Sequence, residues 1–177
     1  MKIRQEQKQD YPEVFRLIEN AFKDELYTNH QEQFLVERLR QSEAFIPELS
    51  LVAETDRQIV GYILLTPIKI VDEQSQETAS LALAPVAVHK DFQQQGIGGQ
   101  LIREAHRIAR ELQFGSVILL GHEKYYPKFG YEMTRNYGIR LPFDVPDENC
   151  MLIELSENAL SHVHGTVVYP PEFYETH

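Results

Sequence analysis

The amino-acid sequence predicts an α/β domain. Short apolar runs that read as strands alternate with amphipathic stretches at helical spacing, and one glycine-rich turn joins a strand directly to a helix. Residues 81–88 are apolar and far too few to span a membrane, so they read as a strand buried on both faces. Beyond them Ile97, Leu101, Ala105, Ile108 and Leu112 recur at helical spacing, with Arg103, Glu104, Arg107 and Arg110 largely between them. Between strand and helix lies Gln95-Gly96-Ile97-Gly98-Gly99. Missing side chains let backbone N–H groups approach a ligand there. A helix opening at that point aims its free amides and its positive dipole end at the same spot, which suits phosphate.

The other elements follow in order. Residues 3–5 read as a short first strand. At Asp10-Tyr11-Pro12-Glu13 a helix starts, with Asp10 as N-cap, Pro12 in the first turn and Glu13 completing a capping box. Val14, Leu17, Ile18, Ala21 and Phe22 form its apolar stripe. A second helix is expected over residues 31–41, using Phe34, Leu35 and Leu39. Residues 50–54 and 58–65 flank the polar turn Thr55-Asp56-Arg57, a hairpin signal. Pro67 demotes residues 68–71 to a bulged or edge continuation, and Pro85 predicts a break or bulge in the returning strand over residues 78–88. Residues 115–121 are apolar on both faces and read as a central strand. Residues 150–155 and 165–169 are the strands expected in the tail. No repeat or composition shift marks a boundary, so residues 1–177 are expected to form a single domain.

The glycine turn can be set against known phosphate motifs. A dinucleotide fingerprint needs a third glycine three positions after Gly98, where Leu101 stands; a P-loop needs Gly-Lys-Ser/Thr, and Gly99 is followed by Gln100. What remains is Gln93-x-x-Gly96-x-Gly98, behind a strand that ends Val86-Ala87-Val88. A second motif follows: Tyr126-x-x-x-Gly130-Tyr131, preceded by Tyr125. In these residues the chain resembles the GNAT superfamily of acetyl-CoA-dependent N-acyltransferases. Their central signature is Gln/Arg-x-x-Gly-x-Gly/Ala, and they usually carry Tyr-x-x-x-Gly-Phe further on, where this chain has Tyr131 for Phe. The paired tyrosines look like those of one small single-domain branch. The resemblance covers most of the chain, with low specificity beyond about residue 138.

That resemblance implies a GNAT-like acyl-CoA N-acyltransferase fold: a mixed, mostly antiparallel sheet flanked by helices, with a splayed central strand pair. It implies acetyl-CoA as co-substrate, held by Gln93, Gln94, Gln95, Gly96, Ile97, Gly98, Gly99 and Gln100. The backbone of Val86, Ala87 and Val88 would pair with the pantetheine arm as another strand would. Acetyl would pass to a primary amine by direct attack. Tyr126 is the candidate general acid, since a phenol with a pKa of about 10 can protonate a departing thiolate. Val88 N–H is the candidate for polarising the thioester. Phe22, Tyr27 and Phe34 are candidates for the acceptor wall and Tyr125 for covering the pocket. The strand holding residues 86–88 has no carboxylate to serve as base; Glu123, His122, His89 and Glu54 stand as alternatives. Loss of catalysis would leave a CoA-binding sensor or assembly module as a second reading.

Composition sets outer limits. A formal net charge of −10 argues against a nucleic-acid partner, which needs a basic surface. No apolar run approaches a membrane span and the first residues lack a signal-peptide core, so the expected location is cytoplasmic. Cys150 is the only cysteine; it fits a reducing compartment and needs no chemical role. The seven histidines suggest no metal site. His162 and His164 share a face only if their segment is a strand, and His106 reads as a surface or boundary residue of the long helix. Many relatives pair through sheet edges, so a homodimer is an open expectation.

Overall fold

The computed structural model describes residues 1–26 and 28–175 of the 177-residue chain. These fall into two compact units. One comprises Met1–Thr66, Ala84–Ile108 and Pro171–His177, the other Pro67–Leu83 and Ala109–Pro170.

In the first unit, β1 (Lys2–Gln5) pairs antiparallel with β2 (Ser50–Thr55). β2 then pairs antiparallel with the first half of β3 (Gln58–Val71) through a tight turn in which Asp56 and Arg57 both have positive φ. This is the expected hairpin, in the turn geometry whose twist matches paired strands. Helix α1 (Tyr11–Phe22) opens with Pro12 in its first turn and buries Val14, Leu17 and Ile18 at i, i+3 and i+4. Helix α2 (Glu32–Arg40) buries Gln33, Val36 and Leu39 and closes on Arg38 and Arg40, cations that suit a helix C-terminus. Phe34 and Leu35 are only half-buried.

The expected cap of α1 is not formed. Asp10 precedes the helix but makes no side-chain cap bond. Its carboxylate instead takes two bonds from Arg4, at 2.8 and 3.0 Å, and one from Gln7 N at 2.8 Å. A bidentate, charge-assisted pair outweighs a single cap bond. Glu13, freed from any capping box, accepts from Ile59 N at 3.0 Å.

The second half of β4 (Glu77–Val88) also belongs to this unit, followed by the glycine turn and α3 (Ile97–Glu111). The buried face of α3 is Ile97, Leu101, Ile102, Ala105, His106 and Ala109. Ile108 is half-buried and Leu112 lies beyond the helix, 39% exposed. At about 100° per residue the expected positions fall within about 80° of one another, and the buried face extends past them through Ile102, His106 and Ala109. His106 is buried, at 4% exposure, rather than at the surface. Gly61 of β3 lets α3 approach, since a β-carbon there would stand 2.9 Å from Leu101 Cδ1 and 3.1 Å from Ile97 Cγ2.

In the second unit, β4 pairs parallel with β5 (Ser116–Leu120) at Leu81 and Ala82 against Val117 and Ile118. The register covers those two positions, after which β4 runs on through a cis Ala84–Pro85 bond without a break in the strand. This is the splayed pair. β5 is central, as expected: its other edge takes β8 (Cys150–Glu154) antiparallel, and β8 takes β6 (Glu132–Met133). The end of β3 pairs antiparallel with β9 (Gly165–Val168), which pairs parallel with β7 (Ile139–Arg140). The strand pairing is thus mixed and mostly antiparallel.

Pro67 does not demote the residues behind it, and β3 is continuous through Val71. The ladder with β2 ends at Leu64 and that with β9 begins at Lys69, so the missing N–H interrupts neither. His162 and His164 precede β9 in a turn, both exposed, and do not share a strand face.

Candidate active site

The end of β4 and the start of α3 are joined by a turn whose bonds are almost all local. His89 N donates to Val60 O at 2.8 Å, which anchors the strand end, and Phe92 N donates to His89 O at 2.8 Å. Gln93 folds back so that its Nε2 donates to Val88 O at 3.3 Å. Gln94 and Gly96 take positive φ, 64° and 82°, and turn the chain into the helix. Nothing lies within 4 Å of where a Gly96 β-carbon would stand. At this position glycine answers to backbone conformation rather than to crowding.

The first bond of α3 runs from Gln100 N to Gly96 O at 3.0 Å. The amides of Ile97, Gly98 and Gly99 lie ahead of it, among the donors a helix cannot satisfy from within. Gln93, Gln94, Gln95, Gly96 and Gln100 are exposed, while Ile97, Gly98 and Gly99 are buried in the first turn. On β4, Val86 and Val88 are half-buried and Ala87 is buried. The residues expected to bind the cofactor therefore form two runs, 86–88 and 93–100, both in the first unit.

Tyr126 lies in the second unit. It opens a short 3-10 helix, Tyr126–Phe129, closed by Gly130 at φ 101°. The left-handed stop explains the glycine of the Tyr-x-x-x-Gly motif. The Tyr126 ring meets Tyr125 edge-on at 5.0 Å and Tyr131 at 5.8 Å. Its hydroxyl makes no hydrogen bond among the described residues, whereas the Tyr62 hydroxyl pairs with Ser50 at 2.7 Å and that of Tyr137 donates to Glu132 at 2.7 Å. Burial, and then the neighbouring Tyr125, push the Tyr126 phenol well above its ordinary value. It keeps its proton throughout the neutral range. Tyr125 is half-buried, with Lys128 Nζ 4.2 Å above its ring.

Phe22 closes α1 and packs against the core cluster of Val14, Leu17 and Ile18. Phe34 meets Phe15 edge-on at 5.3 Å. Tyr27 lies outside the described residues.

The four candidate bases have partners. Glu54 is 3.2 Å from Arg4. His89 Nδ1 accepts from Asp91 N at 3.1 Å, and His122 Nδ1 accepts from Lys124 N at 3.2 Å. Glu123 accepts from Asn149 Nδ2 at 3.1 Å; its own backbone N–H, then His122 and Asn149, hold its carboxyl below the usual range. Cys150 is buried, and burial, then Asp147 and Glu148, raise its thiol above its ordinary value. Among the described residues no cluster of ligating side chains could hold a metal ion.

Sequence reading did not anticipate one buried polar network. Arg40 grips Glu6 at 3.1 and 2.6 Å, Ser50 donates to Glu6 at 2.9 Å, and Ser50 meets Tyr62. Nor did it anticipate Asn149. Its carbonyl accepts from Gly121 N at 2.9 Å while its Nδ2 donates to Gly121 O at 3.0 Å. No spacing marks either group, because their members come from separate elements.

Comparison with known proteins bears on these features together. The family model of the acetyltransferase (GNAT) domain matches residues 47–133, which include the glycine turn and Tyr126. YhbS, an uncharacterized N-acetyltransferase of Escherichia coli K12, is 30% identical over 174 residues, 98% of either chain. The crystal structure of the Escherichia coli protein in complex with CoA superposes with a TM-score of 0.87 at 28% identity, over 99% of this chain and 93% of that one. A GNAT acetyltransferase of Brucella melitensis, solved with acetyl-CoA, gives 0.79 at 31% identity over 97% of both. The chain belongs to the GNAT family of N-acetyltransferases.

Proposed function

We propose that residues 1–177 act as one N-acetyltransferase domain that moves the acetyl group of acetyl-CoA to a primary amine by direct attack. The observation that carries this reading is the turn from Val88 to Gln100. It sets the positive-φ residues Gln94 and Gly96 before a helix whose first amides, on Ile97, Gly98 and Gly99, are not used within the helix. The pyrophosphate of CoA fits these amides together with the backbone of Gln93, Gln94 and Gln95. Val86, Ala87 and Val88 are assigned to the pantetheine arm, with Val88 N–H polarising the thioester oxygen. The structures of the two relatives with CoA and with acetyl-CoA support the choice of co-substrate.

The neutral amine attacks the thioester carbon, a C–N bond forms, and the C–S bond breaks. Tyr126 gives its proton to the departing thiolate, and the proton lost by the amine restores the phenol through solvent. No side chain is assigned as base. An amine already neutral at working pH needs none, and the candidates each have another partner. Phe22, Tyr27, Phe34 and Tyr125 are assigned to the acceptor, and a cytoplasmic location belongs to the same reading.

Calorimetric titration with acetyl-CoA, CoA, ATP and NAD tests the cradle. Acetyl-CoA and CoA should bind saturably and ATP and NAD should not, and Gly98→Trp should abolish binding. Retained binding in that variant would remove the phosphate assignment. Tyr126→Phe should keep acetyl-CoA affinity and lose about 10²–10⁴-fold in turnover; unchanged turnover would remove the acid.

A further inference from the structure

The phenol of Tyr126 can serve as an acid only if its ring is held in one orientation, and the local geometry shows what holds it. Gly121 follows the last residue of β5. A β-carbon at this position would run into Tyr126 Cε2, stand 2.8 Å from Cδ2 of the same ring and lie 3.0 Å from Leu119 Cδ1. Gly121 is not in the left-handed region of backbone space, unlike Gly130 close by. Its backbone conformation therefore does not demand glycine; the ring does.

The ring is half-buried and is bordered by two other tyrosines. Tyr125 meets it edge-on at 5.0 Å and Tyr131, itself buried, at 5.8 Å. Gly121 is fixed in turn on both its polar groups by one residue. Asn149 O accepts from Gly121 N at 2.9 Å, and Asn149 Nδ2 donates to Gly121 O at 3.0 Å. The same Nδ2 donates to Glu123 at 3.1 Å, which ties down the segment leading to Tyr126. Asn149 precedes β8, whose first residue Cys150 pairs with Leu120 at the end of β5.

The geometry points to Gly121 and Asn149 as positioning residues: the bare backbone of Gly121, clamped by Asn149, is the seat that sets the Tyr126 phenol for proton donation. This inference rests on the reading of Tyr126 as the acid. A methyl group at position 121 would tilt the ring toward Tyr125 or Tyr131 and carry the hydroxyl away from its working direction. Tilting removes proton donation without touching the residues assigned to CoA. Displacement of about 1 Å is enough to cost a large factor in rate.

The test combines Gly121→Ala, Asn149→Ala, Tyr126→Phe and the double variant Gly121→Ala/Tyr126→Phe. Thiol release from acetyl-CoA is followed with spermidine, lysine, glucosamine and an alanine-initiated peptide as acceptors. In parallel, spectra of protein carrying ¹³C-labelled tyrosine are recorded, the Tyr126 signal being the one lost in Tyr126→Phe. Gly121→Ala should lower kcat at least about tenfold with the KM for acetyl-CoA kept within about twofold. The Tyr126 signal should move, and Asn149→Ala should do the same to a smaller degree. The double variant should be no slower than Tyr126→Phe alone, because Gly121 acts only through the phenol. An unmoved Tyr126 signal in both single variants, or losses that multiply in the double variant, would overturn the inference while leaving Tyr126 as the acid. Full turnover in Tyr126→Phe, or no turnover with any amine, would instead remove the acid and the inference with it. Should Gly121→Ala not fold, Asn149→Ala carries the same comparison.

Discussion

Asp10 shows how one residue's partner outranks its place in the sequence. It stands where a helix N-cap belongs, yet the Arg4 guanidinium takes both of its oxygens. Arg4, and then the Gln7 amide, hold the Asp10 carboxyl below the usual carboxylate range. A depressed folded-state pKa gives stability that is present above the unfolded value, about 3.9, and is lost as pH falls through the folded one. Urea midpoints should therefore fall between about pH 5 and about pH 3 more steeply in the wild type than in Asp10→Asn. Equal slopes would show that the pair is energetically silent. The same competition explains what could not be read at this scale. Asp10 and Arg4 are close in sequence, but nothing in their spacing says that a side-chain pair will displace a cap. Glu6 and Arg40 are 34 residues apart, and their ion pair is visible only once α2 and β1 are folded.

Elements with strong patterns were legible, and the exceptions have identifiable causes. The hairpin, the helix after the glycine turn and the two tail strands lie within a residue or two of where periodicity and turn chemistry put them. The candidate cofactor residues could be proposed from the sequence because they lie on two short neighbouring runs, 86–88 and 93–100. The continuation of β3 beyond Pro67 was not legible: β3 takes β9 as a partner besides β2 and β4, and β9 arrives about a hundred residues later. That pairing has its own glycine. Gly165 starts β9 at φ 130°, and a β-carbon there would strike Val71 O and stand 2.6 Å from Val71 C. The obstacle is backbone, which cannot rotate aside. Gly165→Ala should cost about 1–3 kcal/mol in urea unfolding, and hydrogen exchange should show β9 and the end of β3 opening first. Loss of less than about 0.5 kcal/mol would mean that the β3–β9 ladder adjusts freely.

For the whole molecule, the charge balance raises a question that the proposed co-substrate sharpens. The chain carries a formal net charge of −10, and CoA is an anion. Residues 93–100 hold no charged side chain, and Lys90 ahead of them is paired with Asp24 at 3.0 Å. Recognition of the phosphates therefore falls to neutral amides and the dipole of α3, acting over the first turn, against a repulsion summed over the whole surface. The two respond differently to salt. Raising ionic strength from about 0.1 to about 1 M cuts the screening length from about 10 to about 3 Å, which weakens the long-range repulsion more than contacts at hydrogen-bond distance. Acetyl-CoA affinity should accordingly stay within about threefold or rise across that range. A protein that held the phosphates with lysine and arginine would lose a tenfold or larger factor. A loss of that size, measured by calorimetry in potassium chloride, would mean that cationic side chains such as Arg103 or Arg107 reach the cofactor, and that the glycine turn is only part of its cradle.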